Sequence, residues 1–215
     1  MNTQEHVIDI PLLQEDSSVQ ECLNAMLDVE CFELPVIKDG KVYGKIILED
    51  LLDQEGTIAN SIEQGFPCVA LHTHLFDVMR VMRETNASVC AVLDGSGDFV
   101  GIITKQIVLN RLSHAISVEQ VGAIVVVEMA SHQYSSSEIA RIVEGENAQI
   151  LGMWMQQIES SGRVRISIKL NTVNAERIVN GFMRFNYEVI ATFGDQDYRE
   201  KVEKRYQSLM KYLDI

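Results

Sequence analysis

Proline is scarce in this chain, three in 215 residues, and tryptophan occurs once. No apolar run reaches the roughly 20 residues that a membrane-spanning helix needs. The start, "MNTQEHVIDIPLLQED", lacks the basic-then-apolar pattern of a secretory signal. Membrane insertion and export are therefore not expected, and the expected location is cytoplasmic. The four cysteines, Cys22, Cys31, Cys68 and Cys90, contain no CxxC pair. That argues against a zinc site or disulfide frame and for reduced, buried thiols. Positive charge is short as well: 18 Lys and Arg against 31 Asp and Glu leave a net charge of -13. Residues 1–115 hold 7 basic against 18 acidic side chains, and residues 116–215 hold 11 against 13. So acidic a front half repels phosphate backbones, and nucleic acid is not an expected partner. Also missing are GxSxG, a P-loop, HExxH and any Cys–His signature, so no catalytic residue is assigned and an enzyme is not expected.

What is present is a duplication. "GKIILEDLL" from Gly44 returns as "GIITKQIVL" from Gly101, 57 residues later. Upstream, "IPLLQEDSSVQECLNAML" from Ile10 lies over "FPCVALHTHLFDVMRVMR" from Phe66 at a shift of 56. Pro11 falls on Pro67, Leu23 on Met79 and Met26 on Met82. Each copy predicts the same order. A short strand begins at the proline, and a polar cluster ("EDSS" or "HTH") caps a helix with apolar residues at helical spacing. A strand-turn-strand follows, turning at Asp39-Gly40 or at Gly95-Ser96-Gly97. A second helix is predicted to start near Glu49 or Lys105. Its apolar residues are Leu48, Leu51 and Leu52 in one copy, and Ile107, Val108 and Leu112 in the other.

This βαββα pattern, twice over, resembles a tandem pair of CBS domains, with units at 1–56 and 57–115. "TIANSIEQG" is similar to the short helix that opens such a unit. The resemblance implies that a Thr and an Asp, spaced as Thr-x-x-Asp after the strand, hold the ribose of an adenosyl ligand: AMP, ADP, ATP or S-adenosylmethionine. Here the pair is split. The first unit keeps Asp50 but has Ile47 in the Thr position; the second keeps Thr104 but has Ile107 in the Asp position. A carboxylate can accept from two vicinal hydroxyls, and losing one partner weakens such a site by roughly 1–3 kcal/mol. Asp50 also reads as a first-turn helix carboxylate, and Thr104 as a helix N-cap. Gly44, Gly101 and Lys105 join them as candidate ligand-binding residues, with Lys105 placed to meet a phosphate. "HTH" could offer two metal ligands, His72 and His74, but no third is evident and no metal is assigned.

From about residue 116 the pattern changes. "GAIVVVEMA" reads as a strand and "SSSEIARIVEGEN" as a capped helix. "AQILGMWMQQIES" and an alternating strand "GRVRISIKLN" follow. "NAERIVNGFMRFN" reads as a helix with Asn174 as its cap, and "YEVIATFGD" as a last strand. The order βαββαβ predicts a ferredoxin-like sheet over 116–195, followed by an amphipathic helix over 196–215. The fold class is α/β (α+β). This segment resembles an ACT domain, which implies amino-acid sensing or oligomerisation. Ser135, Ser136 and Ser137 stand at the turn where that family binds its ligand. Gly152 reads as a bulge or a close approach, and Trp154 as outward-facing. A CBS pair followed by an ACT unit is similar to acetoin-utilisation accessory proteins. The resemblance implies a homodimer that senses a small-molecule effector and acts on a protein target in trans. The alternative is a structural protein whose ligand sites have decayed.

Overall fold

The computed structural model describes residues 2–159 and 161–194. The amphipathic helix expected over 196–215 lies outside the described residues. The chain divides into a front unit, Met1–Leu112, and a back unit, Ser113–Ile215.

In the front unit the first repeat contains α1 (Val19–Asp28) and the hairpin β1 (Glu33–Lys38) and β2 (Lys41–Ile47). The second contains β3 (Cys68–Ala70), α2 (Leu75–Thr85), β4 (Val89–Leu93), β5 (Phe99–Thr104) and most of α3 (Lys105–Ala115), whose last three residues fall in the back unit. Helix α1 starts where Ser18 and Glu21 satisfy each other: Glu21 N donates to Ser18 Oγ at 3.2 Å, and Ser18 N donates to Glu21 Oε2 at 2.8 Å. It buries Val19, Cys22, Ala25 and Met26. Helix α2 is capped by His74, whose Nδ1 accepts from Phe76 N at 3.2 Å, so this half of the HxH pair is spent as a cap. The β1–β2 turn places Asp39 and Gly40 at φ 51° and 77°, the left-handed pair that a two-residue hairpin demands. In the other hairpin the Asp94 carboxylate accepts from Ser96 N and Asp98 N. Those backbone donors hold its pKa below the usual carboxylate value.

Three expectations need correction. The first repeat's second helix is only a single 3-10 turn, Leu48–Leu51. After Leu52 the sequence runs polar to Gly56 (φ 91°), so there is no further apolar face to pay for another turn. The strand expected at Pro11 shrinks to one bond, from Ile37 N to Leu13 O (2.7 Å). The helix expected over "TIANSIEQG" is a series of turns. Its backbone bonds across to the first repeat: Ile58 N to Ser17 O at 3.0 Å, and Lys45 and Glu63 to each other at 2.9 Å both ways.

That last arrangement has a counterpart. The N-terminal segment bonds to the second repeat: Thr3 N to Thr73 O at 3.0 Å, and Ile8 and Ile102 to each other at 2.8 and 2.9 Å. The two leaders are therefore exchanged, each segment that precedes one repeat pairing with the other. Val89 and Ile102 of the second repeat accordingly sit in the core built around Leu13, Val36 and Ile46.

The back unit is one antiparallel sheet, in the order β7-β8-β6-β9. Its strands are β6 (Ile124–Ala130), β7 (Ile150–Ile158), β8 (Arg163–Leu170) and β9 (Glu188–Phe193). Helices α4 (Ser136–Gly145) and α5 (Glu176–Arg184) complete the βαββαβ order. Val164, Ile166, Ile168 and Leu170 are buried, as their alternation requires, in one core with Val125, Val127, Ile139 and Phe182. Asn174 Oδ1 accepts from Glu176 N at 3.1 Å and caps α5. At Gly152 the β7–β8 register slips. A Cβ there would come 2.8 Å from the Trp154 ring, so the glycine makes room for the half-buried indole.

Candidate functional site

Asp50 is exposed in the 3-10 turn that follows β2. It borders a shallow dish of about 260 Å3, lined by Gln54, Asn60, Ser61, Ile62 and Glu63 as well. Ser61 Oγ donates to Gln54 Oε1 at 2.6 Å, and the Glu63 carboxylate is paired with Lys45 at 3.0 Å. A carboxylate, two amides and a hydroxyl around one depression form a set that can exchange hydrogen bonds with a polyhydroxyl group. The volume takes a sugar, not a whole nucleotide. Sequence reasoning reached Asp50 alone. The other members come from the link between the repeats, whose only signal was a polar run around the buried Ile58.

Thr104, the complementary candidate, is buried, and its hydroxyl accepts from Ile107 N at 3.3 Å. It caps α3 and does not line the dish. Lys105 is exposed and lies instead at the rim of a second feature, a groove of about 660 Å3 between α2 and α3. Ile47 and Ile107 are both half-buried. The structure thus brings Asp50 together with the inter-repeat link, not with Thr104 or Lys105.

Gly44 and Gly101 lie beneath the exchanged leaders. A Cβ at Gly44 would come 2.4 Å from Glu63 O, and one at Gly101 2.5 Å from Ile8 O. Close passage of backbone accounts for both glycines without a ligand. In the back unit Ser135 Oγ accepts from Glu138 N at 3.3 Å and caps α4, while Ser135 and Ser137 hydroxyls meet at 3.0 Å. Ser136 and Ser137 are exposed. Behind them Tyr187 donates to Glu138 Oε2 at 2.7 Å. Burial, together with this bond, pushes the Tyr187 hydroxyl up to about 12.

The thiols are free, and burial pushes Cys22 up to about 11 and Cys90 to about 12. Among the described residues no three His, Cys, Asp or Glu side chains gather as a metal site, and no helix is long and apolar enough to cross a membrane.

Residues 5–55 and 62–114 match the model of the CBS domain. The chain carries a tandem CBS domain pair. A stretch of 98 residues is 32% identical to a zinc metalloprotease of Methanocaldococcus jannaschii, covering 46% of this chain but 28% of that protein. The match spans little more than a quarter of that relative's length. Among solved structures, a CBS domain pair/ACT domain protein from Thermotoga maritima is 23% identical. It covers 54% of this chain and 99% of that one, with a TM-score of 0.47. A CBS protein solved in complex with AMP is 20% identical over 53% of this chain and 96% of that one, with a TM-score of 0.45.

Proposed function

We propose that this protein is a non-enzymatic cytoplasmic regulator whose CBS pair senses a small metabolite, an adenosyl compound of the AMP, ADP, ATP or S-adenosylmethionine class. The observation that carries the reading is Asp50, exposed in the turn after β2 and surrounded by Gln54, Asn60 and Ser61. The resemblance of its motif to the family's Thr-x-x-Asp run supports a ribose-binding role for Asp50, and its neighbours are suited to hydroxyls. Because Thr104 caps α3 and Ile47 replaces its counterpart, the grip is incomplete and the affinity modest. The dish is too small for a nucleotide, so the base lies outside it. The ligand acts by favouring one arrangement of the CBS domains, and only to the extent of its differential affinity for the alternatives.

In this reading the protein is a homodimer that acts on a protein target in trans. The back unit, with its β7-β8-β6-β9 sheet and Ser135-capped first helix, serves as an ACT-like unit for amino-acid sensing or oligomerisation. Thermal-shift measurement with AMP, ADP, ATP, NADH and S-adenosylmethionine tests the sensor, because a ligand that binds only the native state raises Tm. The AMP carried by the related structure makes AMP the first compound to try. A second reading, a structural protein with decayed sites, is favoured by Ile47 and Ile107 at the ribose positions. It predicts no shift with any of the five.

A further inference from the structure

The duplication sets two helical faces at matching positions of the repeats, and their charges are opposite. On the second repeat, the groove between α2 and α3 carries Phe76, Met79 and Leu109, with Arg80, Arg83 and Lys105 around them. Phe76 is 61% exposed and Leu109 56%. On the first repeat, at the same alignment, Leu27 stands in place of Arg83, Leu48 in place of Lys105, Glu30 in place of Asn86 and Glu55 in place of Leu112. Leu27 is 75% exposed and Leu52 68%. Neither α1 nor the turn Leu48–Leu51 contains a basic residue, whereas Asp28 ends α1, Glu49 and Asp50 lie in the turn and Asp53 follows it. One face is an apolar groove whose rim keeps Arg83 and Lys105 as its net cations, since Arg80 is paired with Asp77 at 2.8 Å. The other carries two exposed leucines, Leu27 at the end of α1 and Leu52 just after the turn that packs on α1, among acidic residues.

We propose that these two faces are partners. The Leu27–Leu52 face of one copy docks into the α2–α3 groove of a second copy, head to tail, so that two-fold symmetry makes the contact twice. This rests on the homodimer of the preceding section and specifies its orientation. A parallel pairing sets Arg83 and Lys105 against their own copies, and Glu30 and Glu55 against theirs; like charges across an interface suppress that pairing. The apolar parts agree with the charges. Two exposed leucines need a recess, and only the second repeat, with its full-length α3, has one of this size among the described cavities.

Charge reversal in the full-length chain tests the orientation, read as the dimer dissociation constant by sedimentation. All the reversed side chains are exposed, and circular dichroism checks that each variant is folded. R83E/K105E and E30K/E55K are each expected to weaken the dimer roughly ten- to hundredfold, since symmetry doubles every altered pair. The variant carrying all four changes is expected to return to within a few-fold of wild type. A dimer that is unchanged or tightened by R83E/K105E overturns the head-to-tail contact and leaves the homodimer standing. So does a four-fold variant that stays as weak as its parents. A wild-type chain that sediments as a monomer removes the homodimer and this contact with it.

Discussion

Replacing Gly101 by Ala probes the leader exchange on which the front unit's core depends. The residue has φ 154°, a conformation L side chains rarely adopt, and its Cβ would come 2.5 Å from both Ile8 O and Val7 Cγ1. One of those atoms is backbone, so the clash is relieved only by moving the N-terminal segment. That breaks the Ile8–Ile102 pair, with bonds of 2.8 and 2.9 Å. Backbone strain contributes about 1–3 kcal/mol and the two bonds about 0.5–1.5 kcal/mol each. The expected loss is about 2–6 kcal/mol, or roughly 8–24 °C in the Tm of the front unit at about 4 °C per kcal/mol. Gly44→Ala meets Glu63 O at 2.4 Å without a positive φ, so only the bond terms apply, about 1–3 kcal/mol. Gly95→Ala meets nothing within 4 Å and is expected within about 0.5 kcal/mol of wild type. Urea unfolding gives the three values, and hydrogen exchange at the Ile8 and Ile102 amides localises the effect. If Gly101→Ala matches Gly95→Ala in stability and in exchange at Ile102, the leader does not cross as described.

Three further outcomes follow from individual contacts. Ser18→Ala removes the reciprocal cap of α1 and should cost about 0.5–2 kcal/mol, measured by urea unfolding. Tyr187 keeps its proton to about pH 12 in the folded state, whereas the unfolded side chain loses it near pH 10. The unfolded state then binds fewer protons across that window, so stability is present below it and falls as pH rises through it. Tyr187→Phe should flatten this alkaline limb relative to wild type, and identical limbs would count against the buried Tyr187–Glu138 bond. Gly152→Ala collides with the Trp154 ring and should shift indole fluorescence while leaving the front unit's transition in place.

The parts of the fold legible in the sequence are those set by local chemistry. Asp39-Gly40 fixed one hairpin, Ser18 and His74 marked helix starts, and the alternation from Val164 to Leu170 marked a sheet face. The leader exchange was not legible. Ile8 meets Ile102, and Lys45 meets Glu63, through backbone bonds between residues far apart in the chain, which no propensity encodes. The same exchange explains why Gly44 and Gly101 read as part of a ligand motif: a glycine required for close passage looks the same in sequence as one required by a ligand. Leu48, Leu51 and Leu52 fitted a helix, but three apolar residues followed by "DQEG" sustain only one turn. Of the candidate site, Asp50 was marked by the resemblance of its repeat to the CBS motif. Asn60 and Ser61 were not, because the turns that bring them to Asp50 depend on Ile58 being buried and bonded to Ser17.

Titration calorimetry of AMP into wild-type protein and into Asp50→Ala bears most directly on the sensing claim. The account predicts weak, saturable binding to wild type, with heat lost in the variant while its Tm stays within a few degrees, because Asp50 is exposed and its replacement leaves the core intact. Equal affinity in the two proteins would remove Asp50 as the ribose anchor. Absence of heat in wild type, repeated with ATP and S-adenosylmethionine, would contradict the sensor and leave the structural reading in its place.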